Sequence, residues 1–85
     1  VEGEVRMDGQ EHFYLECNAV RAEPSKDPCH RLQLWCSSQN PAEVQQWAAD
    51  ACGLSYAQVH CQVPRLGGGF GGKETRSQIL STAVA

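Results

Sequence analysis

The sequence predicts a small mixed α+β fold on the basis of three local patterns. Short runs of alternating polar and apolar residues indicate β-strands, because successive side chains of a strand point to opposite faces. Residues 40–53 have apolar residues at helical spacing between a capping asparagine and a glycine. A glycine-rich loop then precedes a second helix-like run. A chain of 85 residues forms one small domain at most, and we assign residues 1–85 to part of a single domain of a much longer chain.

Four runs predict strands. Val1–Met7 alternates apolar and charged residues and ends at an Asp-Gly turn. Cys17–Glu23 and Arg31–Ser37 alternate in the same way, and the surface turn Pro24–Pro28 between them indicates an antiparallel hairpin. Ala57–Val63 has its apolar residues on one face and is the fourth predicted strand.

The run between the hairpin and the fourth strand predicts a helix with defined ends. Asn40 can cap the helix, Pro41 fits its first position, and Glu43 lies where the glutamate of a capping box would be. Gly53 ends the helix as a left-handed cap. A second helix-like segment covers Ser77–Ala85. The apolar stripe of the first helix comprises Val44, Trp47, Ala48, Ala51 and Cys52.

Composition excludes several classes of partner. Seven basic residues against ten acidic ones give a formal net charge of −3, and a nucleic-acid surface would need clustered basic residues. No apolar run approaches the roughly 20 residues of a membrane span, so we expect neither nucleic acid nor membrane as a partner. The five cysteines are odd in number and lack a C-x-x-C spacing, which favours reduced, mostly buried thiols over a disulfide framework or zinc site.

The loop Gly67–Gly72 contains five of the eight glycines. Its G-x-G-x-x-G spacing fits a dinucleotide-binding turn, although this match alone is weak. The spacing from Gly67 to Gly72 and Lys73 also fits a phosphate-binding loop up to its last position. There Glu74 replaces the Ser/Thr that would bind Mg²⁺, and its carboxylate would repel a triphosphate. A glycine-rich bend that only turns the chain is a further alternative.

Two longer motifs indicate another family. The run GGGFGGKE at residues 67–74 resembles the cofactor loop of the molybdenum hydroxylases, the xanthine dehydrogenase and aldehyde oxidase family. The run GQEHFYLE at residues 9–16, whose secondary structure the pattern leaves open, resembles the other motif of the same domain. Residues 38–41, SQNP, are also similar to that family. Two long motifs in the right order are far more specific than one, and the resemblance implies a partial molybdopterin-binding domain.

The resemblance implies roles for five residues. Gln10 matches a glutamine that donates a hydrogen bond to an oxo ligand of molybdenum. Phe70 matches a phenylalanine whose backbone amide lies close to the metal, with Gly69 and Gly71 leaving room for the approach. Glu74 matches a glutamate that hydrogen-bonds the purine in the xanthine dehydrogenase branch, where aldehyde oxidases tend to carry an apolar residue.

Two ionisable residues of the motifs are assigned structural roles. A histidine in an aromatic run, as at His12, is more often a hydrogen-bonded structural residue than a ligand. Lys73, next to the loop, is expected to pair with a carboxylate or to reach a polar rim.

The resemblance further implies a reaction. It is the hydroxylation of purines, from hypoxanthine to xanthine to urate, by molybdenum–molybdopterin with oxygen from water. Electrons would pass through 2Fe–2S clusters and FAD to NAD⁺ or O₂, with these groups bound elsewhere in the parent enzyme. The general base also lies elsewhere, so we expect no catalytic residue here and no activity from the 85 residues alone. The expected parent is a cytoplasmic homodimer, with the peroxisome as the other compartment. The alternatives are an aldehyde oxidase of the same family and a non-catalytic nucleotide-binding or structural module.

Overall fold

The computed structural model describes all 85 residues, and its regular secondary structure begins at residue 20. A three-stranded sheet and two helices form the folded part, and a 3₁₀ turn leads into the third strand. This architecture confirms the predicted α+β class. The hairpin comes before the first helix, and the glycine loop lies between the two helices. In chain order the elements are β1 (Val20–Pro24), β2 (Leu32–Cys36), α1 (Pro41–Cys52), the 3₁₀ turn (Tyr56–Gln58), β3 (Val59–Gln62) and α2 (Arg76–Val84).

The sheet has the strand order β1-β2-β3. β1 and β2 form the predicted antiparallel hairpin, in which Ala22 pairs with Leu34. β3 runs parallel to β2 and places Cys61 beside Leu34. Parallel neighbours cannot be joined by a tight turn, so α1 is the crossover that connects β2 to β3. The local pattern had predicted each strand and each helix, but neither the 3₁₀ turn nor this parallel pairing.

The core lies between the sheet and α1. Alternate residues of β2 point to the buried face, as expected for a strand that is covered on one side. Val44 and Ala48 of α1 are fully buried against this face. Trp47 is half exposed, so the predicted apolar stripe of the helix is only partly buried. The complete core comprises Leu32, Leu34, Cys36, Val44, Ala48, Ala49 and Val59.

Both ends of α1 are capped as the sequence predicts. The Asn40 side chain accepts a hydrogen bond from the Glu43 N–H at 3.3 Å. Gly53 has φ 65° and closes the helix in the left-handed conformation. The reciprocal half of the capping box is absent, because the Glu43 carboxylate accepts a hydrogen bond from Gln78 Nε2 at 2.8 Å instead. This contact ties α1 to α2.

α2 packs against the rest of the fold through polar side chains. Ser77, Gln78 and Ser81 are buried, while its larger apolar side chains face outward. The Ser77 hydroxyl donates to the Lys73 carbonyl at 2.9 Å, and its oxygen lies 2.7 Å from the Ser38 hydroxyl oxygen, within hydrogen-bond distance. This network joins α2 to the segment before α1 and to the end of the glycine loop. Neither helix has the length and hydropathy that crossing a membrane requires.

One strand prediction is wrong, and the other three differ from the structure in their bounds: the strand predicted at Cys17–Glu23, for example, begins only at Val20. Residues Val1–Met7 are exposed and form no strand, so that prediction is wrong. Alternation indicates a half-buried strand, but a ladder also needs a neighbouring strand, and none of the three strands pairs with this segment. The strand predicted for Ala57–Val63 is shorter, because residues 57 and 58 belong to the 3₁₀ turn.

Three of the five cysteines are more exposed than the sequence predicts. Cys17, Cys29 and Cys52 are exposed, so the prediction of mostly buried thiols is wrong. Cys36 and Cys61 lie on neighbouring strands with their Sγ atoms 3.6 Å apart. The hydrogen bond between these thiols lowers the pKa of Cys36 and raises that of Cys61, and burial adds to the rise. No three His, Cys, Asp or Glu side chains converge in a way that could hold a metal ion.

Replacing Asn40 with Ala should lower the free energy of unfolding by about 1 kcal/mol, because the N-terminal turn of α1 would lose its side-chain acceptor. Asn40→Ser is the matched control, since serine caps helices about as well as asparagine. Urea denaturation of the wild type and both variants measures the difference. Equal destabilisation by serine and alanine would show that the cap does not account for the effect.

Candidate functional site

The glycine loop makes a tight turn at Phe70. The Gly72 N–H donates to the Gly69 carbonyl at 2.7 Å and closes this turn. Phe70 has φ 50°, and Gly71 after it has φ 85°. A positive φ is uncommon for a residue with a side chain and points to a constrained position. The Phe70 ring remains 71% exposed, so burial of the ring does not account for this backbone conformation.

Three successive amides of the loop have no partner within the chain. The N–H groups of Gly68, Gly69 and Phe70 donate to none of its atoms, although Gly69 is buried. By contrast, the next four amides, those of residues 71–74, all donate to acceptors of the chain. The N–H groups of residues 68–70 therefore form a row of donors that the chain itself leaves free. A row of such donors is suited to bind an acceptor-rich ligand.

The segment of the first motif lies directly against this loop. A Cβ atom added at Gly72 would be 2.6 Å from Tyr14 Cε1 and 3.0 Å from His12 Cγ. A Cβ atom at Gly67 would be 2.6 Å from the Cβ of Glu16. Such distances are too short for carbon atoms, so glycine at these two positions allows the two segments to approach. The structure thus brings the two motifs into contact.

An ion pair joins the same two motifs. Lys73 is fully buried, and its Nζ lies 2.6 Å from Oε2 of Glu16, whose side chain is 34% exposed. The same carboxylate oxygen accepts the Gly67 N–H at 2.7 Å. These hydrogen bonds from the Lys73 ammonium and the Gly67 amide hold the pKa of Glu16 below its ordinary value of 4.5. The structure confirms the expectation that Lys73 pairs with a carboxylate.

Gln39 supports the loop from the other side. Its Oε1 accepts from the Gly71 N–H at 3.0 Å and from the Lys73 N–H at 3.3 Å. Its own backbone N–H donates to the Lys73 carbonyl at 2.9 Å. Sequence reasoning had not assigned Gln39 or Glu16 to the site. The only signal was that both lie inside runs similar to the molybdenum hydroxylases.

The structure brings three of the five predicted site residues together in one turn. Gly69, Phe70 and Gly71 form one turn, and Glu74 follows it three residues later. The Glu74 side chain is exposed and makes no hydrogen bond in the chain. Gln10 is also exposed, two residues before His12, and no hydrogen bond joins it to the loop. The segment that carries Gln10 therefore contacts the loop, through His12 and Tyr14, but the Gln10 carboxamide makes no hydrogen bond to it.

The geometry does not fit a dinucleotide-binding turn. Such a turn follows a strand directly and opens a helix, so that the ligand meets the helix N-terminus. Here β3 ends at Gln62, and α2 begins at Arg76. Both elements are thus separated from the loop Gly67–Gly72 by several residues. The loop presents unpaired backbone amides rather than a helix terminus.

Comparison with known proteins identifies the family. The family model of the molybdopterin cofactor-binding domain matches residues 1–85. The chain belongs to the molybdopterin cofactor-binding domain family. The match confirms the family and the class of cofactor that the two motifs indicate.

Relatives with this domain include enzymes from distant organisms. The chain is 49% identical over 84 residues to the xanthine dehydrogenase of Drosophila subobscura and 50% identical over 84 residues to that of Emericella nidulans. It is 46% identical over 85 residues to the xanthine dehydrogenase/oxidase of Gallus gallus. These matches cover 99–100% of the chain, and the chain spans 6% of the length of each relative.

Replacing Glu16 with Gln should destabilise the fold at neutral pH and have little effect in acid. The lowered pKa of Glu16 means that its ionised carboxylate stabilises the fold above its ordinary pKa of 4.5. This contribution is lost as the pH falls through the lowered pKa of the folded state. Urea midpoints of wild type and variant should therefore differ most above the ordinary pKa of 4.5 and converge as the pH falls through the lowered pKa of the folded state.

Glu11→Gln is the matched control, because Glu11 is an exposed glutamate in the same segment. Its urea midpoint should follow that of the wild type across the pH range. A Glu16→Gln difference that stayed constant with pH would show that the ionised pair is not the cause.

Proposed function

We propose that these 85 residues are part of the molybdopterin-binding domain of a molybdenum hydroxylase that oxidises hypoxanthine to xanthine and xanthine to urate. Support comes from the family of the chain and from relatives that are named xanthine dehydrogenases. The structural observation that carries the proposal is the row of unpaired amides at Gly68, Gly69 and Phe70. The parent enzyme would also bind FAD and 2Fe–2S clusters, would use NAD⁺ or O₂ as electron acceptor, and would be a cytoplasmic homodimer.

The loop residues would hold the cofactor through backbone atoms. Molybdenum–molybdopterin, when bound, supplies the redox chemistry that hydroxylates a heteroaromatic carbon with oxygen from water. Gly69 and Phe70 would supply N–H donors. Gly71, whose own N–H donates to Gln39, would leave open space beside Phe70 because it has no side chain. Donors fixed before the ligand arrives need no reorganisation during the reaction.

Gln10 would add a side-chain donor next to the metal. A carboxamide offers two N–H donors without adding a charge, so it can hydrogen-bond an oxygen acceptor and leave the net charge of the site unchanged. The Gln10 side chain is exposed and makes no hydrogen bond in the chain, which leaves both N–H groups for a ligand.

Glu74 would recognise the substrate. Its carboxylate lies two residues after the loop Gly67–Gly72, is exposed and forms no hydrogen bond in the chain. A carboxylate accepts hydrogen bonds from ring N–H groups of a purine, and in its protonated form it can donate one. An aldehyde lacks such N–H groups, so Glu74 favours a purine hydroxylase over an aldehyde oxidase.

In the complete enzyme, Gln10→Ala should lower turnover by about 100- to 1,000-fold while molybdenum content stays near that of the wild type. The reason is that Gln10 would act on charge that develops during the reaction rather than retain the cofactor. Steady-state kinetics and metal analysis of the same preparation measure both quantities. Glu11→Ala, an exposed neighbour, should leave both unchanged. Unchanged turnover of Gln10→Ala at full metal loading would refute the role.

Glu74→Val should lower kcat/KM for xanthine by roughly tenfold or more, since a substrate N–H group that loses its acceptor when bound costs about 1–3 kcal/mol. Activity on a simple aromatic aldehyde should hold or rise. The ratio of the two kcat/KM values is the measurement. Thr75→Val is the control, because the Thr75 side chain caps no helix amide. If Glu74→Val lowers both values equally, Glu74 is structural and the purine assignment loses its support.

A further inference from the structure

We propose that Glu16 and Lys73 are positioning residues whose ion pair fixes the cofactor-binding amides of the loop relative to the segment that carries Gln10. The inference rests on the proposed function, because it assigns these residues a role toward the same cofactor. Neither residue would touch the reacting atoms. Their effect would be exerted through the loop backbone.

The pair is unlike the other ion pairs of the chain. Three of the four ion pairs join residues within three positions of each other, and in each of these at least one side chain is more than half exposed. Glu16 and Lys73 are 57 positions apart, and the lysine side chain is completely buried. A buried ammonium group needs a partner, so this charge fixes one specific arrangement of the two motifs.

A single carboxylate oxygen holds both ends of the loop. Glu16 Oε2 accepts from the Gly67 N–H at 2.7 Å and from Lys73 Nζ at 2.6 Å. The unpaired amides of residues 68–70 lie between these two attachment points. The Lys73 ammonium also lies 4.9 Å from the centre of the Tyr14 ring, on the same segment as Glu16. Movement of the ion pair would therefore displace the donors between its two attachments.

The expected consequence is a loss of rate rather than of binding alone. Catalysis depends on reacting groups that are held in place, and a displacement of about 1 Å can lower the rate by about 100-fold. A weakened ion pair would still allow the cofactor to bind to the amides. The cofactor would then occupy a wider range of positions relative to the segment that carries Gln10.

The test uses the complete, cofactor-loaded enzyme. Lys73→Met removes the ammonium but preserves an unbranched side chain, and Glu16→Gln preserves an acceptor for the Gly67 N–H. The double variant completes a mutant cycle. Lys26→Met is the matched control, because Lys26 is the other lysine of the chain and is exposed in the β1–β2 turn. For each protein we would measure the molybdenum content, kcat per bound molybdenum, KM and the melting temperature.

We expect Lys73→Met to lower kcat per bound molybdenum by roughly 10- to 100-fold. Glu16→Gln should lower it at least as much, because it leaves the buried Lys73 ammonium beside a neutral carboxamide. The double variant should lose no more than the more affected single variant, and Lys26→Met should match the wild type. A purely structural pair would lower the melting temperature or the metal content and leave kcat per bound molybdenum unchanged, which would overturn the inference. If Lys73→Met does not fold, kcat per bound molybdenum of Glu16→Gln decides. A wild-type enzyme without molybdenum would instead overturn the proposed function itself.

Discussion

The buried charge of Lys73 is the constraint on which the site depends. An ammonium group removed from water is tolerated only beside a partner, and Glu16 supplies a carboxylate 2.6 Å away. Glu16 belongs to a segment without regular secondary structure, so no sheet or helix would otherwise hold that segment in place. The ion pair draws this segment across the loop, where Tyr14 packs against glycines that have no side chain to obstruct it.

The loop in turn keeps a backbone conformation that its sequence disfavours. Phe70 has a positive φ although it carries a large side chain, and such a conformation persists only where surrounding contacts enforce it. Gln39 provides these contacts, because its Oε1 accepts hydrogen bonds from the N–H groups of Gly71 and Lys73, one and three residues after Phe70. The amides before them remain without partners. The residues after Phe70 are thus held by Gln39, and the N–H groups of residues 68–70 stay available. A ligand site built from backbone amides needs both features.

The sheet places Gln39 and the glycine loop at the same end of its parallel strands. β2 and β3 are parallel, so their carboxyl ends lie at the same end of the sheet. β2 leads into Gln39, and the chain after β3 leads into the glycine loop. Ligand sites of open α/β sheets commonly lie outside the carboxyl ends of parallel strands, because the loops there converge. The polar contact between Ser38 and Ser77 then fixes α2 behind the loop.

The sequence alone determined the features that depend on neighbouring residues: the hairpin, the ends of α1 at Asn40 and Gly53, the glycine loop and the family. Tertiary structure decided the features that depend on distant partners. Alternation in Val1–Met7 could not reveal that no strand pairs with it, and Glu43 completes no capping box because Gln78 binds its carboxylate. The roles of Glu16 and Gln39 and the three unpaired amides were likewise invisible, because hydrogen bonds and ion pairs between residues far apart in the chain leave no local pattern.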